Sequence, residues 1–140
     1  MGRTLRDLAE INRMVAAAFD DREQRPWGAE ALVIELSKQV GDLARAVLTT
    51  EHYYLPDRES DPSYGGGRDR IADELADILY CALRLADHYG VDLEEAHLTA
   101  REAEWRYLHQ EGTPPWTAAT DEAALGQPKP GKYVKSSTPK

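Results

Sequence analysis

Asp73-Glu74-Leu75-Ala76-Asp77-Ile78-Leu79-Tyr80, continued without a break by Cys81-Ala82-Leu83-Arg84-Leu85-Ala86-Asp87, sets two acids three residues apart inside an apolar helical pattern. At about 100° per residue, Glu74 and Asp77 fall within roughly 60° of one another, at the edge of the apolar stripe rather than opposite it. From that edge both side chains can turn inward. Alone, an E-x-x-D on a helix is most often solvated charge, and Arg70, one turn before Glu74, offers an ordinary ion-pair partner. Whether the pair is more than that depends on what the rest of the chain sets beside it.

Working outward, the spacing predicts a helix from Arg68 to Tyr89, with Ile71, Leu75, Ile78, Leu79, Ala82, Leu85 and Ala86 towards the core and Gly90 just past its end. Upstream, Leu5, Leu8, Ile11, Val15 and Phe19 recur at helical steps, with Thr4 as N-cap and Asp7 at the third position. Pro26 and Gly28 break that pattern. From Ala29 to Thr50, Leu32, Leu36, Val40, Leu43 and Val47 form the stripe of a long second helix with one buried face. Gly41 within it costs about 1 kcal/mol relative to alanine, so it marks either a close approach by a helix or ligand or a tolerated cost. Glu51 to Gly67, with Pro56, Pro62 and the triplet Gly65-Gly66-Gly67, is expected to be a long connection with functional mobility. Asp92 caps a fourth helix that carries Ala96, Ala100, Ala103 and Tyr107 and ends before Gly112.

The expected fold is all-α, a bundle of about four helices over residues 1–112. From Thr113 the chain turns to Pro, Gly, Ser, Thr and Lys, and a mostly disordered, flexible tail is expected over residues 113–140. Its last thirteen residues hold Lys129, Lys132, Lys135 and Lys140 and no acid, a solubilising appendage or a cover for an acidic site.

With 140 residues, 41% of them hydrophobic, the chain suits one domain. A net charge of -8 argues against nucleic acid or an anionic membrane as partner of the folded body. A single cysteine, Cys81, excludes an intramolecular disulfide and fits a reducing, cytoplasmic setting. Arg3, Arg6, Asp7, Glu10 and Arg13 interrupt any signal-peptide core, and no segment has the length of a membrane span. A soluble protein is expected.

The second helix changes the reading of the opening pair. Glu35, Gln39 and Asp42 lie along one flank of it, within about 60° of one another. Were the two helices to pack side by side, Glu35 and Asp42 would approach Glu74 and Asp77. Gathered carboxylates repel unless a cation neutralises them, and oxygen donors suit a hard divalent ion, magnesium or alternatively manganese.

Gln39-Val40-Gly41-Asp42 within the segment from Leu36 to Leu48, Glu74-Leu75-Ala76-Asp77, and the run from Leu83 through Gly90-Val91-Asp92 to Ala96 together resemble the MazG-type all-α nucleoside triphosphate pyrophosphohydrolases, over about residues 28–107. The resemblance implies E-x-x-E on one helix and E-x-x-D on the next, binding magnesium that holds a triphosphate and activates water. It makes Asp42, Glu74 and Asp77 the candidate catalytic residues and metal ligands. Gln39 stands where the family has glutamate, and offers a neutral carbonyl oxygen to the metal; Glu35, one turn earlier, is its candidate substitute by helical spacing. Arg106-Tyr107 resembles an Arg-Tyr pair that contacts substrate in relatives, while Thr99 and Ala103 replace the Lys and Asn that often precede it. A nucleoside triphosphate substrate and a homodimer or higher homo-oligomer are implied.

Lys38, Arg58, Arg68 and Arg70 are the basic groups nearest the acidic edges or the long connection, and Lys38, Arg68 and Arg70 are candidates for holding phosphate oxygens. Tyr64-Gly65-Gly66-Gly67-Arg68 is a weak candidate phosphate cradle, lacking the P-loop pattern. Trp27, Tyr53 and Tyr54 are candidate base-stacking residues, against which Trp27 is read as a packing staple. Glu94-x-x-His97 has half of a di-iron motif and no second half. Against the enzyme stands a second reading, a catalytically degenerate helical module that binds nucleotide or a protein partner without turnover.

Overall fold

Thr4 opens helix α1 (Leu5–Asp20) with both halves of a capping box: its hydroxyl accepts from the Asp7 amide, and the Asp7 carboxylate accepts from the Thr4 amide at 2.7 Å. After the turn through Pro26 and Trp27 the chain enters α2 (Ala29–Thr50), then a short α3 (Pro56–Glu59) and a 3-10 turn (Pro62–Tyr64), then α4 (Arg68–His88) and α5 (Leu93–Leu108). The structure, a computed structural model, describes residues 2–110 and 112–117. It is all-helical, with no strand among those residues.

The end of α4 follows from its glycine. Gly90 takes φ of 64°, the Gly90 amide donates to Asp87, and the Val91 amide reaches back to the Ala86 carbonyl at 2.8 Å, which closes a Schellman motif. Asp92 then caps α5 by accepting from the Glu95 amide at 3.0 Å.

The long connection between α2 and α4 carries local structure of its own. Asp61 caps the 3-10 turn through the Ser63 amide, Tyr54 and Tyr64 meet edge to face at 5.0 Å, and Arg45 Nη1 donates to the Ser63 carbonyl. Gly66 sits so close to the end of α2 that an added Cβ would lie 3.0 Å from Thr49 and Thr50 atoms. The Gly67 amide donates to Thr50 Oγ1 at 2.7 Å. The glycine triplet therefore serves a close chain crossing, and one of its amides is already engaged.

The chain divides into two units, Met1–Thr99 and the residues from Ala100 onward, and α5 runs through the division. In the first unit α2 and α4 make the main interface and α1 packs on α4. The buried apolar core is small: Leu32, Ala46, Cys81 and Leu83. On α2 the buried residues are Leu32, Gln39, Ala46 and Thr49, so the face turned inward is rotated from the expected leucine-valine stripe. Val40 and Val47 are exposed, as is Leu75 on α4. Ala46 explains part of this rotation, since a small side chain lets α4 approach along that line. Gly41 is open, with nothing within 4 Å of an added Cβ, so no helix closes on it.

Within the second unit Trp105 stacks on His109 with centroids 3.8 Å apart, and Trp116 meets Trp105 edge-on at 5.3 Å. Pro114 is fully buried there, and Thr117 donates to its carbonyl. At the start of the expected tail, residues 114–117 close a turn, the Thr117 amide donating to the Pro114 carbonyl. The rest of the expected tail, residues 118–140, lies outside the described residues.

Candidate functional site

The pairing of α2 with α4 decides which acids meet. Glu35 and Gln39 from α2, and Asp77, Tyr80, Cys81 and Arg84 from α4, line one cavity of about 310 Å³. Phe19 and Glu23, from the end of α1 and the turn after it, with Trp27 and Leu32, complete its wall. Gln39 is more than nine-tenths buried, an amide in a helix interface, and its Nε2 donates to Glu35 Oε1 at 3.0 Å. That bond answers the cost of burying a polar group and fixes Glu35 on the cavity side. The Tyr80 hydroxyl is buried with no hydrogen-bond partner, and the Arg84 guanidinium lies 5.6 Å over the Tyr80 ring. Burial pushes the Cys81 thiol up, and Glu35 and Asp77 add to the effect, so it stays a neutral, apolar floor.

The other two candidate acids lie off this cavity. Asp42 is held on the surface of α2 by Lys38, whose Nζ lies 3.3 Å from Asp42 Oδ2 and 3.4 Å from Glu35 Oε1. The hydrogen bond to Asp42, with Glu35 adding to it, outweighs desolvation and raises the Lys38 ammonium above the usual lysine range. Glu74 is the most deeply buried charged residue among the described residues, 2% exposed, and Arg70 Nη2 stands 2.6 Å from its Oε1. Arg70 also reaches Asp73 at 4.0 Å. The sequence reading of Arg70 as an ion-pair partner one turn before Glu74 holds in the structure.

Of the remaining basic candidates, Arg68 is exposed at the first residue of α4. Arg106 and Tyr107 lie on α5 in the second unit, where Arg106 Nη2 is 3.7 Å from Glu102 and the Tyr107 ring stands in solvent. Sequence reasoning missed Glu23, Arg84 and Tyr80 as cavity residues. Tyr80 and Arg84 follow Asp77 at steps of three and seven, a spacing that puts them on one side of α4 with it. Glu23 lies in a turn, where no periodicity marks it.

The donors suit a hard divalent ion in kind, since Glu35, Asp42, Glu74 and Asp77 offer carboxylate oxygens and Gln39 an amide oxygen. Their arrangement is another matter: among the described residues, no three His, Cys, Asp or Glu side chains converge to hold a metal ion. Glu35 and Asp77 line the cavity, whereas Asp42 and Glu74 lie off it, paired with Lys38 and Arg70 of their own helices, and Lys38 reaches Glu35 as well. No model of a known protein family matches the chain, and no curated protein matches it.

Proposed function

We propose that the chain is a MazG-like nucleoside triphosphate pyrophosphohydrolase that cleaves between the α and β phosphates, giving a monophosphate and pyrophosphate. The observation that supports this reading is the cavity itself, where Glu35, Gln39 and Asp77 meet the rings of Phe19, Trp27 and Tyr80. A volume of about 310 Å³ is at the small end for a ligand pocket and matches a base with part of its sugar. In this reading the rings stack on the base, and Lys38, Arg68 and Arg70 hold phosphate oxygens. Asp42, Glu74 and Asp77, helped by Gln39 or Glu35, would hold magnesium or manganese. The chemistry such an ion supplies when bound is polarisation of the phosphoryl oxygen and a more acidic attacking water. The proposal includes a cytoplasmic setting; no helix among the described residues is long and apolar enough to cross a membrane.

Pyrophosphate release from a panel of common and modified nucleoside triphosphates, with magnesium or manganese, tests it. Asp77→Ala is expected to lower turnover on the order of 10³-fold, the worth of several kcal/mol of charge stabilisation. Activity that survives Asp77→Ala removes the site. A specific observation favours the degenerate module as second reading: Gln39 supplies no charge, and its amide nitrogen donates to Glu35. An inert wild type with turnover gained by Gln39→Glu selects that reading.

We further propose a homodimer formed through the outer face of α2. Val33, Val40 and Val47 recur at seven-residue steps and are all exposed, with Leu75 of α4 exposed as well, beside a small buried core of Leu32, Ala46, Cys81 and Leu83 in the first unit. Val40→Asp is expected to convert a dimer to a monomer by light scattering while the helical circular dichroism is kept. A mass that does not change with Val40→Asp excludes this face.

A further inference from the structure

Gln39 is an amide more than nine-tenths buried, and its neighbour decides which way it faces. A carboxylate only accepts, so the amide must turn its nitrogen to Glu35, and Nε2 donates to Glu35 Oε1 at 3.0 Å. Lys38 Nζ approaches the same oxygen, at 3.4 Å. Two acceptors are left over, the Gln39 carbonyl oxygen and Glu35 Oε2, and neither takes a hydrogen bond from a described residue. Neither is sealed inside the protein as the partnerless Tyr80 hydroxyl is, and both residues line the cavity. The rest of the wall limits what can meet them. The rings of Phe19, Trp27 and Tyr80 favour a flat, aromatic ligand. Arg84, its guanidinium 5.6 Å over the Tyr80 ring, pairs with no carboxylate among the described residues and brings donors to the same cavity.

We propose that this cavity selects guanine, with Glu35 and Gln39 accepting from its N1–H and N2 amino donors and Arg84 donating to its O6 and N7 acceptors. This rests on the nucleotide-hydrolysis reading above for one point, that a base enters this cavity, and it gives Glu35 and Gln39 to that base. Guanine carries adjacent donors on its Watson–Crick edge and adjacent acceptors on its Hoogsteen edge, the complement of what the wall presents. Adenine would set its ring N1, an acceptor, against the Glu35 carboxylate. Uracil has a single ring donor flanked by carbonyl oxygens, which would face the same acceptors. Both leave acceptor against acceptor, and a site built to hydrogen-bond its ligand rejects such a mismatch more strongly than a change of size.

Calorimetric titration of the full chain with guanosine, inosine, adenosine and uridine monophosphates, with no metal added, tests this. Inosine differs from guanosine only in lacking the N2 amino group. The guanosine nucleotide is expected to bind on the order of tenfold more tightly than the inosine one, the worth of one hydrogen bond to a charged group, and to exceed the other two by more. Glu35→Gln keeps the shape and removes the charge, and should shrink the preference over inosine to about threefold or less. Arg84→Met should weaken the guanosine and inosine nucleotides by similar factors, because both carry O6 and N7, and so leave their ratio as in wild type. The wild-type comparison stands without either variant, should one fail to fold. Equal binding of the guanosine and inosine nucleotides, or a ratio that Glu35→Gln leaves unchanged, overturns the proposal. So does an adenosine or uridine nucleotide that binds as tightly as the guanosine one. If no monophosphate binds while pyrophosphate is released from a triphosphate, the proposal falls and the hydrolysis reading stands. If none binds and no triphosphate is cleaved, both fall.

Discussion

Two sets of polar contacts lie in the first unit, and they differ in depth. At the α2–α4 interface Arg70 covers a Glu74 carboxylate that is 3% exposed, and a buried Gln39 amide is tied to Glu35. Where α1 meets the junction of α4 and α5, Arg6 pairs with Asp92 at 2.7 Å and Glu94 at 2.9 Å, Arg13 pairs with Asp87 at 2.7 Å, and most of these groups stand in solvent. Both sets pair arginine with carboxylates. Their consequences differ, because a charge left unpaired under a helix interface cannot be rescued by water, whereas one left at the rim is rehydrated at once. Polar groups inside the α2–α4 interface reduce an already small apolar core, and natural cores keep such groups where they serve a site. The rim pairs can be explained by attachment of α1 alone.

The largest effect that sharpens this contrast is Arg70→Ala. It leaves the Glu74 carboxylate buried with its cation gone, and should destabilise the fold by about 2–3 kcal/mol, less than for a fully buried pair because Arg70 is half exposed. Urea denaturation followed by circular dichroism measures it. Adding Glu74→Leu to Arg70→Ala should restore most of the loss, since the buried charge is removed along with its partner. A loss for Arg70→Ala no greater than that for a rim residue would place Glu74 in the same class as Asp92 and break the comparison.

Helix bounds were legible because their signals are local: the Thr4 and Asp7 capping box, Pro26 before α2, and Gly90 after α4 act within a few residues. The inward faces were less so. Leu36, Val40 and Val47 fit a helical stripe, yet Gln39 and Ala46 take the buried places on α2, because the direction from which α4 approaches is a tertiary fact that one helix's periodicity does not contain. The same limit governed the site. Helical spacing put Glu35 beside Gln39, and the structure joins them by a hydrogen bond, but Asp42 and Glu74 line no part of the cavity and pair instead with Lys38 and Arg70. The connection from Glu51 to Gly67 was legible as a long connection from its prolines and glycines, but not its two short helical turns, which Pro56 and Pro62 begin at a position where a missing amide costs nothing.

At the rim the expected effects are smaller and depend on pH and salt. Arg6, and after it the Glu95 amide, hold the Asp92 carboxyl below the usual aspartate range. A carboxyl depressed in the folded state contributes stability that is full above its ordinary unfolded value and is lost as pH falls through the folded one. Arg6→Ala should therefore lower the melting temperature by a margin that stays constant from about pH 7 to pH 5 and closes at lower pH, as Asp92 loses its charge in wild type too. The margin should also narrow in 1 M salt, where the screening length drops to about 3 Å. Thermal melts of both proteins over that range supply the measurement. A margin as wide as that of Arg70→Ala, or one unchanged down to about pH 2, would mean that the α1 attachment rests on packing of the Arg6 stem and not on its charge.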